Sequence, residues 1–182
     1  MKKYELTGEC KVYFGVTLRR IKSLIDFSDV KKGELGGFIE KEENLSHGGD
    51  AWVYGNARVY GNARVYGNAR VYGDARVYGD AWVYGNARVY GDAWVSGDAR
   101  VSGNAWVYGN ADYVLIGRIG SRFGFTTFFR NKNNEIYVSC GCFLGTLAKF
   151  RKKVKETHGT DTKYAKVYQA AADLAEMQIL NK

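Results

Sequence analysis

Ten consecutive hexapeptides constrain the fold of this chain more than any other feature of its sequence. From Asp50 to Gly109 the pattern Asn/Asp-Ala-Arg/Trp-Val-Tyr/Ser-Gly repeats without an insertion. A fixed period of six residues is the signature of a parallel β-helix. Alternation along each short Ala-Arg/Trp-Val strand places Ala and Val on one face and Arg or Trp on the other. We therefore predict a mainly β fold, a left-handed parallel β-helix of hexapeptide repeats with Ala and Val inside.

The other three positions of each repeat have to turn the chain. Gly tolerates positive φ, and Asn and Asp tolerate it next best, so three such corners form a triangular coil of 18 residues. Stacking at this interval predicts three outward rows and one corner row. These rows are Trp52, Arg70, Arg88 and Trp106; Arg58, Arg76 and Trp94; Arg64, Trp82 and Arg100; and Tyr54, Tyr72, Tyr90 and Tyr108. Arg stacked on aromatic rings predicts cation–π contacts.

The outward rows allow two interpretations. They either stiffen and solubilise the column, or they present a flat aromatic and cationic surface to a partner. The candidate binding residues of the second interpretation are Trp52, Arg70, Trp82, Arg88, Trp94 and Trp106.

The sequence changes character on both sides of the repeats, which divides the chain into three parts. We predict an N-terminal capping segment at 1–49, the β-helix at 50–111 and a small C-terminal α+β domain at 112–182. Caps are expected because the ends of a β-helix otherwise expose unpaired backbone. The residues predicted to plug the first coil are Leu35, Phe38, Ile39 and Leu45.

The C-terminal segment combines strand and helix patterns. Apolar stretches separated by a turn at Asn131–Asn134 predict a small sheet. A helix is predicted from Thr146 to Thr157, with Thr146 as N-cap and Gly159 as terminator, and a second from Thr162 to Ile179. The first helix should face the sheet with Leu147, Phe150 and Val154. The second should carry one stripe formed by Tyr164, Val167, Tyr168, Ala171, Leu174, Ala175 and Gln178.

Positive charge is concentrated after the repeats. The chain carries a net charge of +8, and residues 112–182 contain 12 Lys and Arg against 6 Asp and Glu. The candidate binding residues on the first helix are Lys149, Arg151, Lys152, Lys153 and Lys155. Such a patch attracts either an acidic protein surface or nucleic acid.

Catalytic signals are weak. Many acyltransferases share the hexapeptide fold and use a histidine as general base, but fold likeness alone is a weak argument for activity. The two histidines here, His47 and His158, both lie outside the repeats. Cys140 and Cys142 lack the second ligand pair of a zinc site, and we expect them to pack. We assign no catalytic residue, metal ligand or cofactor.

The sequence also bears on location. No apolar stretch has the length of a membrane span, and no signal peptide is recognisable. Three cysteines without a disulfide spacing favour a reducing compartment, so we expect a cytoplasmic protein.

The segment KKGELGGFIEKEENLS, followed by VYGNARVYGDA-type repeats and EIYVSCGCFLGTLAKF, resembles a group of phage and prophage hexapeptide-repeat proteins often labelled as transferases. The resemblance implies a phage accessory protein in the cytoplasm of a bacterial host. Our leading hypothesis is a non-enzymatic protein that binds and blocks a host factor, including a component of antiviral defence. The alternatives are an acyl-CoA-dependent transferase and a sponge that sequesters a phosphorylated small molecule between subunits. We also expect a homo-oligomer, because stacked outward aromatics suit subunit packing.

Overall fold

The chain enters its β-helix through three antiparallel strands. In the computed structural model, which describes residues 1–180, these are β1 (Tyr4–Tyr13), β2 (Val16–Ser23) and β3 (Leu35–Ile39). Phe14 and Gly15 both have positive φ and form the tight turn between β1 and β2.

Each hexapeptide then forms one two-residue strand. The ten strands are β4 (Trp52–Val53), β5 (Arg58–Val59), β6 (Arg64–Val65), β7 (Arg70–Val71), β8 (Arg76–Val77), β9 (Trp82–Val83), β10 (Arg88–Val89), β11 (Trp94–Val95), β12 (Arg100–Val101) and β13 (Trp106–Val107). Every third strand pairs in parallel, so that β4, β7, β10 and β13 form one sheet and β6, β9 and β12 another. The remaining strands, β5, β8 and β11, extend the sheet begun by β1, β2 and β3. The predicted β-helix with an 18-residue coil is confirmed.

The interior of the column is built from the two small apolar positions of the repeat. All ten Ala residues from Ala51 to Ala105 are fully buried, and the ten Val residues from Val53 to Val107 are at most 1% exposed. This confirms the predicted inward face. Burying apolar surface contributes roughly 25 cal/mol per Å², which the repeat gains at every strand.

The corners require glycine for two reasons that Gly85 illustrates. Its φ is +69°, and a Cβ atom there would lie 2.9 Å from the backbone nitrogen of Gly103 in the next coil. A side chain would therefore strain the backbone and prevent the coils from stacking.

Stacking begins before the first hexapeptide. Strand β3 pairs in parallel with β5, with Phe38 opposite Arg58 and Ile39 opposite Val59, and Leu45 bridges to Val65. The prediction that Ile39 and Leu45 plug the first coil is confirmed, because both belong to the buried core of the column. The prediction for Phe38 is wrong, because Phe38 takes the outward position opposite Arg58 and is covered there by Lys11 of β1 and Arg20 of β2. The same prediction for Leu35 is wrong, because Leu35 pairs with Lys22 at the outer start of β3 and is 48% exposed.

The N-terminus closes the open end of the column. The Lys3 ammonium donates to the carbonyl oxygens of Ala51 at 2.8 Å and Gly49 at 3.1 Å. The Tyr4 hydroxyl donates to the carbonyl of Leu45 at 2.7 Å. These side chains satisfy backbone acceptors that no further coil reaches.

After the repeats the chain forms an antiparallel sheet and two helices. The elements are β14 (Tyr113–Ile119), β15 (Gly124–Arg130), β16 (Ile136–Cys140), β17 (Phe143–Thr146), α1 (Leu147–His158) and α2 (Lys163–Leu180). The predicted sheet, the turn at Asn131–Asn134 and both helices are confirmed to within one residue at the helix ends. Thr146 caps α1 by accepting from the Lys149 amide, and Gly159 ends it at φ 74°. The last two residues of the predicted 112–182 domain lie outside the described residues.

The C-terminal sheet lies between the last coil and the helices. One face directs Phe129 into the β-helix core, and the other packs Phe128 and Val138 against the helices. Thr127 accepts a hydrogen bond from the backbone N–H of Arg100 at 2.9 Å, which closes the second end of the column. The sheet thus caps the column with one face and packs against the helices with the other.

The packed faces of the two helices differ in how well the sequence predicts them. On α1, Leu147 and Phe150 are buried and Val154 is half-buried, as expected. On α2, Ala171 and Ala175 are buried, whereas Tyr164, Leu174 and Gln178 are exposed and correct the predicted stripe. Ala165, Ala172 and Ile179 complete the buried face instead. Within residues 1–180, neither helix is long and apolar enough to cross a bilayer.

Candidate binding surfaces and cavities

The outward side chains of the repeats stack in the predicted rows. The Arg76 guanidinium lies 4.3 Å from the Trp94 ring centroid. The Arg88 guanidinium lies 5.6 Å from the Trp106 ring centroid. In the corner row, Tyr54 and Tyr72 stack at 4.5 Å. The predicted cation–π contacts are confirmed, at about 0.5–1 kcal/mol for each exposed pair.

The lower half of the first row is covered by the N-terminal segment. Trp52 is fully buried, with its ring centroid 5.4 Å from Phe27 and 6.1 Å from Tyr4. Arg70 pairs with Asp29 at 2.5 Å and also donates to the Tyr54 hydroxyl at 2.8 Å. This corrects the prediction that Trp52 lines an outward binding surface, because residues distant in sequence occupy that surface. Arg88 is exposed higher in the same row, and Trp106 is half-buried.

The second row is covered by the β1–β2 hairpin. The Tyr13 ring lies between the guanidinium groups of Arg58 and Arg76, 4.7 Å and 4.8 Å away. Trp94 lies above the hairpin and is 42% exposed. No sequence pattern predicted Tyr13 at this place, although its neighbours Phe14 and Gly15 form a turn that can reverse the chain onto the repeats.

Among residues 1–180, no segment covers the third row in this way. The Trp82 ring lies between the guanidinium groups of Arg64, at 5.8 Å, and Arg100, at 4.4 Å. The corner beside it stacks Tyr66 on Tyr84 at 4.9 Å, and burial together with this neighbour raises the pKa of the Tyr66 phenol. A groove of about 660 Å³ runs along this face to His47. The third row is therefore the most continuous accessible face of the column.

His47 is held as a structural residue beside this groove. Its Nδ1 accepts the backbone N–H of Lys3 at 3.2 Å, and its ring stacks on Tyr4 at a centroid distance of 4.3 Å. Its Nε2 lies 3.6 Å from a carboxylate oxygen of Glu42. Because the Nδ1 lone pair is occupied, the proton of the neutral ring resides on Nε2, so neither nitrogen is arranged to abstract a proton.

The basic helix presents its charges on two sides. Lys149, Lys152, Lys153 and Lys155 are exposed. Arg151 is instead half-buried and bridges to α2 through Asp173 at 2.7 Å and Glu176 at 2.8 Å. This corrects its assignment as a free surface cation. It ties α1 to α2 rather than facing a partner.

A groove of about 660 Å³ separates the exposed faces of α1 and α2. Lys152 and Lys155 border it on α1, and Lys166 borders it on α2. Its apolar lining comes from Val154, Ala165 and Ala170.

A second cavity, of about 300 Å³, lies on the other side of α1, where both hairpins of the sheet end. Cys140 and Cys142 line it, together with His158. The expectation that both cysteines pack is wrong for Cys142, which is exposed because Gly141 turns the chain with φ 57°. Within residues 1–180, no three His, Cys, Asp or Glu side chains are arranged to hold a metal ion.

Six overlapping segments of the column match one sequence family. The family is described as the YdcK Beta solenoid repeat, and the matched residues are 51–67, 57–71, 63–79, 69–85, 81–97 and 93–109. The likeness to this family therefore lies in the hexapeptides of the column. The chain is also similar to a protein of Escherichia coli strain K12 named uncharacterized acetyltransferase YdcK, with 36% identity over 62 residues.

The extent of this similarity is narrow. It covers 30% of this chain and 19% of the YdcK protein, so the chain spans about a fifth of the length of the curated relative it matches. The segments that match the family lie between residues 51 and 109. The groove between α1 and α2 and the cavity at His158 both lie outside the matched segments.

Proposed function

We propose that the chain is a non-enzymatic binding protein that holds an acidic segment of a partner protein in the groove between α1 and α2. The observation that carries this proposal is the composition of the groove. Three exposed lysines, Lys152, Lys155 and Lys166, border an apolar strip formed by Val154, Ala165 and Ala170. An amphipathic segment with acidic flanks complements such a groove.

The carboxylates nearest to this groove do not neutralise it. Asp173 lines the groove but is paired with Arg151. Asp161 lies 3.7 Å from Lys166, and Glu156 lies 4.0 Å from Lys152; both pairs are exposed, so water screens them. The lysines on both helices therefore keep an attractive field for an acidic partner.

The column would serve as the scaffold of this binding protein. Its outward guanidinium groups contact Trp and Tyr rings, and the N-terminal segment covers two of the three rows. The nearby histidine, His47, has its acceptor nitrogen occupied. A rigid column joined to a helical binding surface suits a protein that blocks a partner rather than one that transforms a substrate.

The identity of the partner rests on the resemblance of the flanking segments to phage and prophage proteins. That resemblance leads us to propose a bacterial host protein, including a component of antiviral defence, as the blocked factor. Nucleic acid is the other polyanion that the groove would attract. The experiment below separates the two.

The tagged chain would be incubated with bacterial lysate, and bound material would be identified by mass spectrometry. We expect one acidic protein in near-equal amount, retained by the control variant Lys31→Glu/Lys32→Glu on the N-terminal loop and lost with Lys152→Glu/Lys155→Glu. Equal recovery with the groove variant would overturn the groove assignment. Recovery abolished by nuclease treatment would replace the protein partner with nucleic acid, and an empty pull-down would overturn the proposal.

Acyl transfer is the second candidate, because the relative that shares the repeats is named an acetyltransferase. Among residues 1–180, His158 is the histidine that lines a cavity without a hydrogen bond to its ring. Calorimetric binding of acetyl-CoA, together with acetyl transfer lost in His158→Ala, would favour this function. Absence of binding heat at millimolar acetyl-CoA would exclude acyl transfer as the function.

Self-association through the third row is a further part of the proposal. Trp82 and its flanking Arg64 and Arg100 form an accessible aromatic and cationic face. We expect light scattering to give a mass above that of the 20.4 kDa chain, and Trp82→Ala to reduce it. A monomeric mass for the wild-type protein would exclude a stable oligomer.

A further inference from the structure

The cavity at His158 is formed by segments that are far apart in the sequence. The β14–β15 hairpin contributes Arg122 and Phe125, and the β16–β17 turn contributes Cys142 and Phe143. Helix α1 closes the opposite side with Phe150, Val154 and Lys153. At about 300 Å³ the cavity has the size of a site for a small molecule rather than a protein segment.

The charged groups that line the cavity share one sign. Arg122 and Lys153 carry positive charge, His158 adds an imidazole, and the lining contains no carboxylate. Arg122 forms no ion pair with any of residues 1–180, and Lys153 has only a 4.0 Å contact with Glu156. Two cations without a close counter-ion favour a ligand with a compact negative charge.

The walls between these cations are aromatic. Phe150 meets the Tyr168 ring edge-on at a centroid distance of 5.7 Å, and Phe143 lies 5.6 Å from Phe150. The His158 imidazole stacks on Tyr168 at 5.8 Å with an interplanar angle of 27°. Phe125 is partly exposed at the rim. Rings arranged around a cavity favour a flat apolar group between them.

We propose that this cavity binds a small molecule that joins a planar aromatic ring to a phosphate group. The ring would lie among Phe125, Phe143 and Tyr168, and the phosphate would contact Arg122 and Lys153. A phosphate is favoured over a carboxylate because it carries more charge and more acceptor oxygens, which suits two separate cations. The inference is independent of the proposed protein-binding groove, which lies on the other side of α1.

Titration calorimetry with phenyl phosphate and adenosine monophosphate as probes tests this assignment on the full chain. We expect both probes to bind, with affinity reduced about tenfold by Arg122→Ala and about tenfold by Lys153→Ala. The matched controls Arg118→Ala and Lys152→Ala, exposed neighbours outside the cavity lining, should bind the probes like the wild-type protein. Lys152 borders the groove between α1 and α2 but does not line the cavity. Changing Lys152 therefore tests the protein-binding groove without testing the cavity, so either proposal can fail while the other holds.

Related probes decide the ligand chemistry. Benzoate binding as tightly as phenyl phosphate would overturn the phosphate assignment, and inorganic phosphate binding equally well would overturn the aromatic one. No heat with either aromatic phosphate at millimolar concentration would overturn the site.

Alkylation of the cysteines gives a second readout that needs no variant. Cys142 lines the cavity and is exposed, whereas Cys10 is exposed on β1. Phenyl phosphate should slow the reaction of iodoacetamide with Cys142 and leave that of Cys10 unchanged, as measured by peptide mass spectrometry. Equal rates at Cys142 with and without the probe would contradict binding in this cavity.

Discussion

The phenol of Tyr168 lies against the backbone of Gly120, where a Cβ atom would come within 1.9 Å of the phenolic oxygen. Gly120 also has φ +74°, a conformation that residues with a side chain rarely adopt. The contact joins α2 to the β14–β15 hairpin. Burial, and next the nearby Cys140, raise the pKa of the Tyr168 phenol to about 12, so it keeps its proton at neutral pH.

Gly120→Ala should therefore destabilise the C-terminal domain. Overlap with Tyr168 and the unfavourable φ act together, and we expect the free energy of unfolding to fall by about 2 kcal/mol or more. Urea denaturation followed by circular dichroism at the helical band measures this, because α1 and α2 supply the helical signal.

Gly124→Ala is the matched control, since a Cβ at Gly124 would have no atom within 4 Å. Adding Tyr168→Ala to Gly120→Ala should cost less than the sum of the two single changes, because the overlap is lost. Additive losses would show that the contact does not set the stability of the hairpin.

Lys3 should make the stability of the protein depend on pH. Burial lowers the pKa of its ammonium group to about 8, while Asp50 acts in the opposite direction. Between this value and its ordinary pKa, the unfolded chain binds more protons than the folded chain, so the free energy of unfolding rises with pH. Below about pH 8 the cost of burying the charge is present in full. Between pH 8 and about 9.5 the free energy of unfolding should increase by about 2 kcal/mol at most.

Lys3→Met should abolish this rise, whereas Lys2→Met, at a half-exposed neighbour, should retain it. Urea midpoints at about pH 7.5 and about pH 9.5 measure the difference between the two variants, which share the tyrosines that begin to titrate near the upper pH. A slope that persists in Lys3→Met would assign the pH dependence to another group.

Thr127 should stabilise the far end of the column. Its hydroxyl oxygen accepts the backbone N–H of Arg100, which no further repeat pairs. Thr127→Val keeps the shape of the side chain but leaves this donor unsatisfied, at a cost of about 1–3 kcal/mol. Thermal unfolding measures the loss, with Thr17→Val on an exposed position of β2 as the control. Similar melting temperatures for the two variants would argue against a capping role.

The corner at Gly85 should tolerate no side chain. Gly85→Ala combines positive φ with a Cβ placed 2.9 Å from the nitrogen of Gly103, and we expect about 2 kcal/mol of destabilisation. Gly8→Ala, where a Cβ would have nothing within 4 Å, is the control. Guanidinium denaturation followed by tryptophan fluorescence reports on the column, because all four tryptophans lie in the repeats. An equal effect at Gly8 would refute the corner argument.

The column was predictable because its signals are local and periodic. Alternation within each Ala-Arg/Trp-Val strand decides which side chains point inward, and backbone sterics decide that Gly takes the corner. Repetition every 18 residues then places Arg100 over Trp82 and Arg76 under Trp94 without knowledge of any other segment. Both helices of the C-terminal domain were predictable for the same reason, since Thr146 and Gly159 mark the ends of α1.

The accessible surface followed no such local rule. Trp52 and Trp82 occupy the same position of the repeat, yet Trp52 is buried beneath Phe27 and Trp82 lies on the accessible third row. The difference arises from the N-terminal segment. Its packing partners are distant in the sequence, so their contacts produce no periodic pattern from which they could be predicted.

The sequence by itself determined the solenoid, its inward face and the stacking of its rows, because each depends on backbone geometry repeated every few residues. Only the tertiary structure decided which rows are covered and where a cavity forms. Arg122, Lys153 and Tyr168 converge because a hairpin and two helices pack on one sheet. Such convergence is fixed by the packing of whole elements, and no spacing along the chain encodes it.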